Sequence, residues 1–315
     1  MDVLTTRPLP LGEWLPVIGR EYLDSFVPAG GAALKFAIVG DGAAATVAGP
    51  LEAMARAASM HCVRIDASHT RVHMMHELFF AITRALPWDA LVQEYLERLF
   101  AKHAYDWPRP GEAMTMTELA ASFGVAPALL ARQRDQWLSA GIWDDRNLAQ
   151  DFRSAMLRLC LQRLGAESAE GPVLPWLHGE KIPAPQLRQA DISTRIGRTN
   201  ARAMLVSLCH FIRKSGAAGL LLVLDLSQLS RPPAEGTQRY SPAAVMDTYE
   251  VLREMIDETE HLPGLFALVL AGEALATGDV RRAISQYPAL QMRIWPDVRP
   301  GDRQNPVAPL VWLGP

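Results

Sequence analysis

Apolar residues in this chain come in two patterns: short unbroken runs, and longer stretches with one apolar face. Leu34-Lys35-Phe36-Ala37-Ile38-Val39 is a short run closed by Gly40, and Cys62-Val63-Arg64-Ile65-Asp66 is another. Leu220-Leu221-Leu222-Val223-Leu224-Asp225 is the strongest, and Leu265 to Gly272 is the fourth. Unbroken apolar runs of this length predict strands covered on both faces, as in a parallel sheet. Between them the period changes. Residues 47–59 predict an Ala- and Met-rich helix, and residues 72–86 carry Met75, Leu78, Phe79 and Ile82 at helical spacing. A long helix near Thr199–Lys214 puts Ala201, Met204, Leu205, Leu208 and Ile212 on one face. Ser241-Pro242 reads as an N-cap followed by proline in the first turn. Strand alternating with helix predicts a doubly wound α/β fold.

Residues 88–165 read as almost wholly helical, broken at Pro108 and Pro110, while 166–175 and 230–240 read as loops. The expected organisation is therefore an α/β core begun by residues 1–87, a helical insert over 88–165, and the second part of the core over 166–315.

Composition narrows the class. With 49% hydrophobic and 21% charged residues, 315 residues suffice for one large or two small globular domains. A formal charge of -3 gives no global attraction to nucleic acid or anionic lipid. Cys62, Cys160 and Cys209 are widely spaced and odd in number, which fits a reducing compartment better than a disulfide framework. No apolar run reaches the length of a membrane span, and the first residues lack signal-peptide architecture. The expectation is a cytoplasmic protein with no membrane partner.

The chemistry centres on the turn between the first strand and its helix. Gly40-Asp41-Gly42-Ala43-Ala44-Ala45-Thr46 leads into the helix with the cadence of a phosphate-binding loop. Such a loop needs glycines for the turn, backbone N–H groups around the phosphates, and Lys then Ser/Thr at the helix start. Here Ala45 stands in the lysine slot, Ala44 in the preceding glycine slot, and the loop is about one residue short. The strand ending in Asp225 is its natural partner, since an Asp at that place holds Mg²⁺ in P-loop ATPases. Leu226 then occupies the place of the water-orienting glutamate. Two readings stand on these residues alone: a P-loop by descent that has lost its charge, or a strand–turn–helix that never held nucleotide. The cofactor they suggest is ATP with Mg²⁺, weakly held; no catalytic residue and no resident metal is assigned.

Other segments add weight to the first reading. In order come Trp176-Leu177-His178-Gly179-Glu180, Leu187-Arg188, Ile192, Asn200-Ala201 with Met204-Leu205, and the Gly219–Asp225 run. Pro263-Gly264-Leu265, Ala271-Gly272, Tyr287-Pro288-Ala289-Leu290 with Arg293, and Asn305-Pro306 come after them. This succession, over roughly residues 30–312, resembles the ATP-binding BrxC/BrxD family of bacterial BREX phage-defence systems. The resemblance implies a P-loop fold of AAA+ type and a place among the subunits of a defence or DNA-processing complex. The family's Gly-Lys-Thr/Ser is Ala44-Ala45-Thr46 here and its Asp-Glu pair is Asp225-Leu226, which predicts a pseudo-ATPase beside an active ATPase paralogue. The end at Pro315, soon after the last strand, reads as the loss of the family's usual C-terminal region.

Three further groups bear on function. Met116 to Ile142 has helix-turn-helix cadence, and its second helix would present Arg132, Gln133 and Arg134 to DNA; a plain helical or protein-docking surface is the alternative. Arg281, Arg282 and Arg293 lie after the last central strand, where an AAA+ neighbour inserts an arginine into the adjoining subunit's site; surface pairing with acids is the alternative. His69, His73, His76 and Glu77 read as a solvated helix start rather than a metal site. The leading expectation is an assembly or regulatory subunit. A nucleotide-dependent DNA-binding adaptor using 113–143 is the second. In a third reading Lys35 or Lys181 replaces the missing lysine and some hydrolysis survives.

Overall fold

Residues whose side chains are buried on both faces of a sheet have no polar alternation, and three central strands in this protein are of that kind. The structure, a computed structural model, describes residues 7–40, 42–167, 171–227, 229, 240–278, 281–295 and 304–314. In chain order these form β1 (Leu9–Pro10), α1 (Leu11–Ile18), a π-helical stretch Gly19–Phe26, β2 (Ala33–Val39), α2 (Ala44–Ala57), β3 (Met60–Asp66) and α3 (Met75–Ala85). Next come α4 (Trp88–Lys102), α5 (Met116–Phe123), α6 (Pro127–Leu138), a π turn Ser139–Trp143, α7 (Gln150–Arg163), α8 (Val173–Leu177), α9 (Ala184–Gln189) and α10 (Ala201–Ser215). The chain closes with β4 (Gly219–Asp225), α11 (Pro242–Asp257), β5 (Leu265–Gly272), α12 (Pro288–Ile294) and β6 (Leu310–Gly314). It divides into two compact units, residues 1–81 with 218–315, and residues 82–217.

The first unit is built on a six-stranded sheet in the order β1-β6-β2-β5-β4-β3, every pair parallel. All eight residues of β5 and six of the seven in β4 are buried, which is why both read as unbroken apolar runs. One face of the sheet presents Ala37, Val39, Leu221, Val223, Phe266, Leu268 and Leu270 to Trp14, Ile18 and Leu23 and to Val47, Leu51 and Ala55 of α2. Residues of the other parity, such as Phe36, Ile38, Leu222 and Val269, are equally buried and point the opposite way. On α11, which lies against β2, the buried residues are Val245, Thr248, Tyr249, Val251, Leu252 and Met255. Ser241 caps α11 by accepting from the Ala244 N–H at 3.1 Å, with Pro242 in the first turn.

The topology fixes where a ligand could sit. The chain leaving β2 runs through α2 to β3 at the far edge, whereas the chain leaving β5 crosses to β6 on the other side of β2. Connections that diverge in this way open a crevice at the carboxyl ends of the strands between them.

The second unit is helical among its described residues. Thr115 and Glu118 form a capping box at the start of α5, and Gly124 in the left-handed region (φ 67°) ends it. Three residues later α6 begins with Pro127 in its first turn. No helix among the described residues is long and apolar enough to cross a membrane.

Candidate nucleotide site

The loop after β2 is described at Gly40 and again from Gly42 onward. Gly40 comes directly after Val39, Gly42 takes φ 77°, and the Ala43 N–H donates to the Gly40 carbonyl at 3.1 Å before α2 begins at Ala44. Asp41 lies outside the described residues. No N-cap side chain bonds to the first turn of α2, whose leading N–H groups have no intrahelical acceptor. Ala45 and Thr46 are both exposed in that turn. Pro50 lacks the N–H that would pair with the Thr46 carbonyl, so α2 is weakened one turn in.

Asp225 ends β4 and is in register with Asp66 of β3 on one side and Leu270 of β5 on the other. Val39, just before the loop, is in register with Gly272 at the end of β5. Asp225 is thus level with Ala37 across β5, and Gly40 lies three residues further along, so two strand spacings and this stagger put Gly40 and Asp225 about 14 Å apart. The Asp225 carboxylate accepts the Ser227 N–H at 2.9 Å. The Leu226 N–H donates to the Leu270 carbonyl at 2.8 Å, and the Leu226 side chain is wholly buried. Gly272 allows this close approach, since a Cβ there would lie 3.1 Å from the Ser227 carbonyl oxygen.

The donor set fits the holding of a magnesium nucleotide, with backbone N–H groups and the Thr46 hydroxyl toward phosphate and Asp225 toward the cation. Among the described residues no lysine stands at the helix start, and the place after Asp225 is filled by an apolar side chain turned into the core.

Lys35 does not replace the missing lysine. Its ammonium donates to the Val307 and Ala308 carbonyls, the second at 3.2 Å, and sits 4.6 Å from the Tyr22 ring centroid. It lies five residues before Gly40 on β2, about 16 Å away along an extended strand. Burial without a carboxylate partner lowers its pKa to about 8. Lys181 is exposed and belongs to the second unit.

The three arginines after β5 lie at different places. Arg293 is held by Asp257 through two hydrogen bonds, the longer 2.9 Å, and also donates to the Ala289 carbonyl. With Lys35, Ala33 and Tyr22 it lines an open cleft of about 380 Å³ at the amino end of β2, away from Gly40. Arg282 is close to the crevice instead: its guanidinium donates to the Leu229 carbonyl at 3.1 Å, four residues beyond Asp225, and its own carbonyl accepts from the Tyr249 hydroxyl at 2.7 Å. Arg281 is exposed.

On α6, Arg132 is exposed and Gln133 accepts a long bond from the Tyr105 hydroxyl at 3.4 Å. Arg134 is buried and gives both Nε and Nη2 to Asp135. Its spacing of four from both Leu130 and Leu138, also buried, is the sequence signal that assigns it to the inward face. His73 packs edge-on to Tyr240 and His76 edge-on to Phe80. Among the described residues no group of three or more His, Cys, Asp or Glu is placed to hold a metal ion.

The model of the BREX system ATP-binding protein BrxC/D family matches residues 144–315, more than half of the chain. The chain belongs to the BrxC/D family. The matched span contains β4 with Asp225, β5 and β6, while Gly40–Thr46 lies before it. No curated protein and no solved structure matches the chain significantly. Within the matched span, Trp176, Ile192 and Asn200 of the sequence motifs surround one loop of the second unit. Sequence reasoning missed the residue that organises it. The buried Asp151 carboxylate accepts from the N–H and hydroxyl groups of both Ser193 and Thr194.

Proposed function

We propose that this BrxC/D chain is a non-hydrolysing P-loop subunit that assembles with, and regulates, a competent ATPase of a BREX defence complex. The observation that carries this reading is Ala45, exposed in the first turn of α2 where a lysine would neutralise phosphate charge. Leu226 supports it, because a buried leucine cannot orient water. Losing one such transition-state contact typically costs several kcal/mol. What remains is a turn whose backbone N–H groups would hold phosphate and an Asp225 that would hold a cation.

The test is ATP turnover by the purified chain, alone and mixed with an active family member. The chain alone is expected to show none above background while altering the partner's rate. Turnover by the chain alone that disappears in Asp225→Ala overturns the proposal.

A second reading, a DNA-binding adaptor acting through 113–143, is supported by the α5–Gly124–α6 geometry. It rests on Arg132, because Arg134 is committed to Asp135. Under that reading Arg132→Glu abolishes a gel shift.

A further inference from the structure

Arginines in this protein are commonly paired with acids: Arg134 with Asp135, Arg158 with Glu167 and Asp191, Arg253 with Glu250, Arg293 with Asp257. The stretch 181–198 departs from that habit. Lys181, Arg188, Arg195 and Arg198 are all exposed, and none forms an ion pair among the described residues. Arg202, one turn beyond Arg198, is exposed as well. The acids beside it in sequence are Glu180 and Asp191, Asp151 lies buried against Ser193 and Thr194, and Arg158 engages Asp191 at 2.6 Å. In a chain of net charge -3, this is a concentrated positive surface.

The segment is also held rigidly. Ile192 and Ile196 are buried anchors on either side of Ser193–Arg195. Asp151 takes four hydrogen bonds from Ser193 and Thr194, and Trp176 Nε1 donates to the Thr194 carbonyl at 3.0 Å. The Asn200 side chain accepts from the Gly197 N–H at 2.8 Å and donates to the Arg195 carbonyl at 3.1 Å. Arg195 in turn donates to the Ile182 carbonyl at 3.0 Å, which sets it beside Lys181. Burying a carboxylate to fix a loop is costly unless its donors are supplied, as they are here. The result is a set of cations whose scaffold is ordered before any anion arrives.

We propose that residues 181–198 bind the phosphodiester backbone of duplex DNA. Planar guanidinium groups without carboxylate partners match phosphate oxygens. The stretch contains no aromatic residue on which an unpaired base could stack, which favours a duplex over a single strand. Contacts of this kind position a protein on DNA without reading its sequence.

The test is fluorescence anisotropy of a labelled 30-base-pair duplex with the full chain between 50 and 200 mM salt. Three variants are compared: R188E/R195E/R198E, R188K/R195K/R198K, and R132E on α6. Wild type binds, and its affinity falls with salt. The triple glutamate variant binds far more weakly, with a slope of log affinity on log salt shallower by about three. The triple lysine variant, which keeps the charge, retains the salt slope and shows that the loop tolerates substitution. R132E behaves as wild type. The proposal is overturned if wild type does not bind at 50 mM salt, if the triple glutamate variant keeps wild-type affinity and slope, or if R132E alone reproduces the loss. Calorimetry with ATP on the same variants separates backbone phosphates from nucleotide phosphates: unchanged ATP binding is expected, and loss of ATP binding without any duplex binding overturns the proposal.

Discussion

Asp66 and Asp225 are register partners at the carboxyl ends of neighbouring strands, and each folds its carboxylate back onto its own loop. Asp66 accepts the Ser68 N–H at 2.7 Å and Asp225 the Ser227 N–H at 2.9 Å, while the Ala67 N–H reaches across to the Asp225 carbonyl at 3.0 Å. Two like charges side by side are tolerated because each oxygen that turns inward meets a backbone donor. The remaining oxygen of Asp225 is the one a cation would engage.

Asp225→Asn separates those two duties. Asparagine keeps an acceptor for the Ser227 N–H, so the melting temperature should change little. Its lost charge removes the attraction for Mg²⁺, so the Mg²⁺-dependent part of ATP binding should vanish in calorimetry. A large drop in melting temperature with unchanged Mg²⁺ dependence would assign Asp225 a structural role only.

Ala45→Lys tests the other side of the crevice. The position is exposed, so the substitution should leave stability within about 0.5 kcal/mol. It restores a phosphate-neutralising ammonium at the helix start, and ATP affinity measured by calorimetry should rise at least about tenfold, the equivalent of about 1.4 kcal/mol. No gain in affinity would show that the loop backbone does not cradle phosphate.

Asp151→Ala removes the acceptor for four donors at once. Leaving a buried donor unsatisfied costs about 1–3 kcal/mol, and these donors are only partly buried and share one site, so a total of about 3 kcal/mol is expected from denaturant unfolding. Amide exchange should accelerate specifically at Ser193 and Thr194. Uniform acceleration throughout the chain would indicate that the loop is not a separate ordered element.

Glu250 offers a pH test. Hydrogen bonds from Arg253 and from the Tyr287 hydroxyl hold its carboxyl down at about 2. A depressed carboxylate contributes stability that is fully present above its unfolded value near about 4.3 and is lost as pH falls toward the folded value. The stability difference between wild type and Glu250→Gln should thus be flat from about pH 6 to 8 and shrink below about pH 4. Its size should be modest, under about 1 kcal/mol, because the pair is largely solvated. A difference that grows on acidification contradicts the assignment.

Much of the sheet was legible because burial on both faces leaves a plain mark. Leu220–Asp225 and Leu265–Gly272 are apolar almost throughout, and Ser241-Pro242 announces α11 through cap chemistry that needs only local residues. β6 was not legible. Leu310–Gly314 is a strand because Phe36, Ala37 and Ile38 of β2 supply partners for it from far away in sequence. β1 is two residues long and pairs with β6, so it has still less of its own signal. The Gly40 loop could be read from its glycines, but the burial of Leu226 depends on the pairing with β5 and the closeness of Gly272. Arg282 reaching the Leu229 carbonyl, and Asp151 reaching Ser193, join residues with no sequence relation that would predict the meeting.

The packing of Leu226 constrains how this lineage could change. A glutamate at that position would have to lodge a carboxylate among core side chains, or break the Leu226–Leu270 backbone bond to swing outward. Either route passes through a less stable protein before any benefit could appear. At this position the core opposes a charged side chain, and placing one there requires coordinated repacking of β4, β5 and the turn at Gly272.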